Sequence, residues 1–240
     1  MAAREVLVLA MTYMRSGICA AGFLQEPDEV THLCWVRPVK EHDTLRLADM
    51  TDAAGRIVQC SDVIELDLRR ACPAPPHTED WLADLVYHRP RLLRRLEGDQ
   101  RARFLADHVD RAPQDVLIGQ TRSLCLVRPE KVWARFQIDP PSGEYKAHLG
   151  FSLGGLQRQC AASPGGIAVT DIKWRALGRS WLGQASELAL SQAELTQRLG
   201  ASNVYLALGL SRGFRGEHWP LVIGVHVVPD YEVTIDYRML

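Results

Sequence analysis

The sequence predicts a mainly β chain with inserted helices, arranged as two small barrels fused into one body. Three observations carry this. Short apolar runs of strand length recur along the chain, bounded by Pro, Gly, Asn and Asp turns. The second half gives three strands, a helix and two strands in order. No Ser/Gly-rich linker separates the halves, and 240 residues at 47% hydrophobic content suffice for a well-buried core.

In the first half, Val6 to Tyr13 reads as a buried strand, His32 to Val39 as a second and Asp62 to Leu68 as a third. The segment CPAPPH at 72–77 stops the sheet. Thr78 then caps an expected helix whose first turn carries Glu79 and Asp80, where the helix dipole favours acids. Trp81, Leu82, Leu85 and Val86, then Leu92, Leu93 and Leu96, extend the pattern past Pro90. The expectation is a broken helical insertion over 78–109. Residues 115–127 return to strand character.

In the second half, Trp133 to Ile138 reads as a strand ended by the turn residues Pro140, Pro141, Ser142 and Gly143. Tyr145 to Leu153 pairs back as a hairpin, and Ile167 to Trp174 is read as a third strand. Ser191 and Glu194 make a capping box for a helix that Gly200 closes. Val204 to Leu210 and Leu221 to Val228 complete the set. This is the order of an oligonucleotide-binding (OB) barrel, in which a helix plugs the gap between the third and fourth strands. The first half fits the same order, giving modules at 1–129 and 130–240. A short echo, WVRPV at 35–39 and LVRPE at 126–130, accompanies the division.

Composition narrows the function. A formal charge of -1 gives no global basic footprint, so any nucleic-acid surface has to be local. Of 28 basic residues only Lys40, Lys131, Lys146 and Lys173 are lysines. An arginine-rich set suits bidentate phosphate or carboxylate contacts, and a GC-rich genome gives the same bias. The six cysteines show no CxxC pair and no metal-finger spacing, so no metal and no cofactor are expected. The N-terminus lacks the longer apolar core of a signal peptide, and no run approaches a membrane span. A reducing cytoplasm without membrane association is the expected setting.

The densest chemical signal is TDIKWRALGRSW at 170–181, where Lys173, Arg175 and Arg179 stand beside Trp174 and Trp181. Cations interleaved with flat rings are what a nucleotide groove needs. Read as a strand, the segment puts Lys173 and Arg175 on one outward face and turns Trp174 into the barrel. The loop LSRGFRGEHW adds Arg212, Phe214, Arg215 and His218, and Trp181, Phe214 and Trp219 are the stacking candidates. Cations from both segments are expected to converge on one barrel face.

The first module offers Thr12, Arg15, Ser16 and Cys19, with Trp35 and Arg37 on the next strand. Arg37 either reaches a phosphate or pairs with an acid such as Asp62 or Glu65. The most basic run, RPRLLRRLEGDQRAR at 89–103, reads as a solvated helix face with internal acid pairs. Signals for catalysis are thin, although Asp171, Glu217, His218, His226, Asp230 and Asp236 supply acid/base groups enough for a hydrolase. There is no Gly-x-Ser-x-Gly elbow, Walker loop, HExxH or dinucleotide fingerprint. His218 and His226 lie roughly 26 Å apart along a strand, too far to share a metal, and Cys19 has no identifiable His partner.

The run of segments SGICAAG, WVRPV, DVIEL, TEDW, TDIKWRALGR, LALGLSR and HWPLVIGVHVVPDY resembles bacterial dual-OB-containing-domain proteins over nearly the whole chain. The resemblance implies two OB-like barrels, a nucleic-acid-binding role and a setting in bacterial defence against foreign genetic elements. It supplies no catalytic residues. The expectation is a non-catalytic protein binding single-stranded or structured RNA or DNA, with a protein partner from the same operon. Its binding residues are Arg37, Lys173, Arg175, Arg179, Trp181, Arg212, Phe214, Arg215 and His218. The alternatives are an accessory subunit of a multi-protein complex and a small-nucleotide sensor.

Overall fold

The computed structural model describes residues 3–14, 16–27, 34–156, 165–213 and 216–239. Its first half is built from β1 (Arg4–Met14), β2 (Gly17–Leu24), β3 (Trp35–Val39), β4 (Asp62–Leu66), β5 (Leu68–Ala71), β6 (Asp80–Ala83) and β7 (Arg91–Arg95). Strand β1 pairs antiparallel with β2 and β4, β2 with β3, and β5 with β6, while β3 and β6 run parallel. Only Asp67 separates β4 from β5, so they act as one bent strand and the sheet curls round on itself. The resulting order, first-second-third-fifth-fourth, is that of an OB barrel.

The second half repeats the order. Its strands are β8 (Leu124–Val127), β9 (Lys131–Ile138), β10 (Tyr145–Ser152), β11 (Ile167–Ala168), β12 (Glu187–Leu190), β13 (Asn203–Leu210) and β14 (Pro220–Val228). Strands β8 and β9 form one long first strand broken at Pro129: β9 pairs with β10, and β8 pairs with β13. A parallel bridge from Val169 to Val222 joins the third strand to the fifth. Although Leu124–Val127 precedes residue 130, it supplies the start of the second ring. The two Val-Arg-Pro echoes therefore occupy different strands of their barrels, a third in one and a first in the other.

Among the described residues four α-helices accompany the strands: α1 (Gly98–Asp107), α2 (Gln114–Leu117), α3 (Ile172–Leu182) and α4 (Gln192–Leu199). The expected helical insertion over 78–109 is corrected, since only its last part is helical. Trp81, Ala83 and Leu85 alternate into the first barrel's core, and pairing to β3 and β5 outweighs the local helix signals. The basic run is divided: its first part is strand β7, where Arg91, Arg94 and Arg95 pair with Glu65, Glu5 and Asp62, and its last part, from Gly98, is in α1. No helix among the described residues is long and apolar enough to cross a membrane.

Helix α3 overturns the strand assignment of TDIKWRALGR. Asp171 accepts a hydrogen bond from Trp174 N and caps the helix. Trp174, Leu177, Gly178, Trp181 and Leu182 follow helical spacing and form the inward stripe that plugs the second barrel. Gly178 is required for this fit, because a Cβ there would lie 2.2 Å from the Phe136 ring. Helix α4 carries the expected capping box of Ser191 and Glu194 and ends at Gly200, which is left-handed at φ 63°.

The two barrels meet along the outward faces of β1, β2 and β3 and of β8, β13 and β14. Val6, Val8 and Met11 point into the first barrel. Leu7, Leu9 and Ala10 point out and join Phe23, Trp35, Leu124, Leu126, Tyr205 and Ile223 in a shared seam. A strand buried on both faces reads as a continuous apolar run, which is why β1 was visible in sequence. Polar contacts fix the seam: His226 Nε2 donates to the Leu9 carbonyl at 2.9 Å, and Tyr13 N donates to the Thr170 carbonyl at 2.9 Å. Glu79, 1% exposed, accepts from Ser123 N, Ser123 Oγ and Leu124 N.

Candidate nucleic-acid interface

Beside this seam lies a cleft of about 470 Å³. One wall belongs to the first barrel: Thr12 on β1, Ser16 in the turn after it, Cys19 and Ala21 on the outward face of β2, and the end of β3 from Arg37 to Lys40. The opposite wall is the β13–β14 hairpin of the second barrel, with Leu210, Arg212, Leu221 and Ile223. The cleft is thus apolar along the seam and cationic at one end. Alternation along β3 accounts for Arg37, since Val36 points into the barrel core and its neighbours Trp35 and Arg37 point out of it.

Asp80 organises the cationic end. Arg37 Nε lies 2.6 Å from one carboxylate oxygen, and Arg212 Nη1 lies 2.8 Å from the other. Arg37 is therefore paired with an acid, though neither Asp62 nor Glu65. Its side chain is 5% exposed, whereas that of Arg212 is 53% exposed. One guanidinium is fixed and the other is free to move. Arg37 Nη2 is buried without a hydrogen-bond partner, and so are both ring nitrogens of His77. The His77 ring stands 5.2 Å from that of His218. Burial, with Arg37 and Arg212 nearby, pushes the His77 pKa down to about 4.

The residues expected to bind separate into two groups. Arg37, Arg212 and His218 meet at the cleft, where His218 Nδ1 lies 2.9 Å from the Ser211 carbonyl. Lys173, Arg175, Arg179 and Trp181 belong to α3, and Lys173 and Arg175 do not share a face because successive helical residues turn by about 100°. Lys173 Nζ pairs with Asp230 at 3.0 Å and lies over the Tyr231 ring. Arg175 and Arg179, one turn apart, both lie over Tyr145, and Arg175 also reaches the ring of Tyr13, which lines the cleft. The cations of the 170–181 segment and of the 211–217 loop thus do not form one cluster. Phe214 and Arg215 lie outside the described residues.

Trp181 is in the last turn of α3 and packs edge-on against Phe136 and Trp174, which places it against the core. Trp219, beside His218 at the loop end of the β13–β14 hairpin, is 57% exposed, so its ring is available for stacking. Asp80, Glu79 and His77 were missed as site residues, because Glu79 and Asp80 imitate a helix start. Their signal was the alternation of Trp81, Ala83 and Leu85.

Burial raises the pKa of Cys19, outweighing the opposing pull of Arg37 and Arg212, so the thiol stays protonated. Cys19, Cys34, Cys60 and Cys72 are free thiols. Elsewhere Asp67, Asp84 and His88 come within ligand distance of one another, but Arg69 already bridges the two carboxylates at 2.9 and 2.6 Å.

The sequence matches the dual OB-containing domain family over residues 4–225, which spans both barrels and both walls of the cleft. No curated protein and no solved structure matches the chain.

Proposed function

The chain belongs to the dual OB-containing domain family, and on that premise we propose that it is a non-catalytic nucleic-acid-binding protein whose ligand enters the cleft between its barrels. One observation carries the reading. OB barrels take ligands on the face of their second and third strands and on the loops between strands one and two and between strands four and five. The cleft lies on that face of the first barrel, next to its first turn, and is closed by the fourth-to-fifth-strand loop of the second.

In this reading Arg212 and Arg37 contact phosphate, and Trp219 stacks on a base. Arg175 and Arg179 continue the cationic track past Tyr13 toward Tyr145. Among the described residues neither is paired with a carboxylate, whereas Lys173 is held by Asp230. Single strands suit the site better than duplex, since no helix among the described residues is presented as a groove probe. A role in bacterial defence with a partner encoded in the same operon is part of the proposal and follows the family resemblance, and a cytoplasmic setting follows the cysteine pattern.

The test is an anisotropy titration of labelled mixed-sequence single-stranded RNA and DNA. The reading expects saturable binding to at least one of them that weakens as salt rises. An accessory-subunit role would give no saturable binding to either, and that result would overturn the reading.

A further inference from the structure

Resting on that reading, we infer that the cleft is a pocket for a phosphomonoester: the phosphate of a free nucleotide or the phosphorylated end of a strand. The space is the first reason. A cleft of about 470 Å³ is within the usual size of a small-ligand pocket and suits one nucleotide unit. Its polarity is the second. Ala21, Leu124, Leu221 and Ile223 are the apolar part of its lining, and Arg37 and Arg212, with Lys40 and one carboxylate, Asp43, are the charged part. That division matches a ligand with a flat, weakly polar body and an anionic head.

The third reason is the state of the arginines. Both already grip a carboxylate, from opposite walls and on different oxygens. Guanidinium forks bind phosphate in the same geometry. Among the described residues Arg37, which lines the cleft, keeps an unpartnered Nη2 although it is 4% exposed. A buried polar atom of this kind is normally satisfied, so this guanidinium has hydrogen-bonding capacity left unused. Arg212 is exposed enough to swing from Asp80 onto an incoming group while Arg37 stays in place. A terminal phosphate offers three oxygens to donors on two walls. An internal phosphodiester offers two.

Calorimetric titration of the full chain tests this with four probes. These are one short single strand ended by hydroxyls, the same strand with a 5′ phosphate, the same strand with a 3′ phosphate, and a mixture of nucleoside 5′-monophosphates. A strand phosphorylated at one end, or the monophosphates, should bind roughly tenfold or more tightly than the hydroxyl-ended strand. That preference should disappear in Arg212→Ala, whose side chain is exposed enough to leave the fold intact. Monophosphates matching or exceeding the phosphorylated strand would identify the free nucleotide as the source, and the reverse a strand end. Equal affinity for all strands, with the monophosphates no tighter, would overturn the pocket and leave nucleic-acid binding standing. Binding of the monophosphates alone would support the pocket and remove the strand reading, and no binding by any probe would overturn both.

Discussion

Arg212 of the second barrel and Asp80 of the first form an ion pair of 2.8 Å across the mouth of the cleft. The other oxygen of Asp80 holds Arg37, which is almost wholly buried. The two partners of Asp80 therefore differ in what their loss would cost. Asp80→Ala strands the Arg37 charge in the interior and should cost about 3–5 kcal/mol. Arg212→Ala removes a half-exposed partner and should cost less than about 1 kcal/mol. Urea denaturation of both variants checks the contrast, and equal losses would contradict it.

The barrels approach closely where β14 passes β1. A Cβ on Gly224 would sit 2.2 Å from the Leu9 carbonyl oxygen, a backbone atom with no freedom to yield. Gly224→Ala should therefore destabilise the chain by roughly 1–3 kcal/mol or more. The thermal midpoint reads this directly, and an unchanged midpoint would mean that the seam can slide.

Glu79 holds the start of β8 through three hydrogen bonds from Ser123 and Leu124. Glu79→Ala leaves two buried backbone donors unsatisfied and should cost about 3 kcal/mol. Had Glu79 acted only as an acid at a helix start, the loss would stay below about 1 kcal/mol.

Acid should loosen the seam. Burial pushes the His226 pKa down to about 3, so the folded chain binds fewer protons than the unfolded one below the ordinary histidine value of 6.5. Its contribution is present above that value and is lost as pH falls toward 3, by up to about 1.4 kcal/mol per pH unit. His77, pushed down to about 4, adds to the loss. Asp171, pushed up to about 6 by burial, works the other way, stabilising the fold as pH drops below that value. Burial also pushes the His148 pKa down and the Asp62 pKa up, so three histidines against two carboxyls leave a net fall in thermal midpoint between pH 6.5 and 4. His226→Gln should be less stable at neutral pH and show a shallower fall over that window.

The sequence showed the barrels better than it showed the site. Strands buried on both faces, such as Val6 to Tyr13, announce themselves as continuous apolar runs. Helix α3 was misread because Ile167 to Thr170 runs into it without a break, although Asp171 and the spacing of Trp174, Leu177 and Trp181 were already helical. Arg37 and Arg212 could be singled out by residue type alone. Their meeting point could not, since Asp80 lies 43 residues from one and 132 from the other. Only the parallel β3–β6 pairing and the seam between barrels bring the three together.

The measurement that bears most directly on the cleft as the nucleic-acid site is the salt dependence of single-strand affinity for the unaltered chain and for Arg212→Ala. If Arg212 contacts phosphate, the variant should bind more weakly, and its slope of log affinity against log salt should be shallower by about 0.7, one counterion's worth on a single strand. An unchanged affinity and an unchanged slope would place the nucleic acid elsewhere on the molecule.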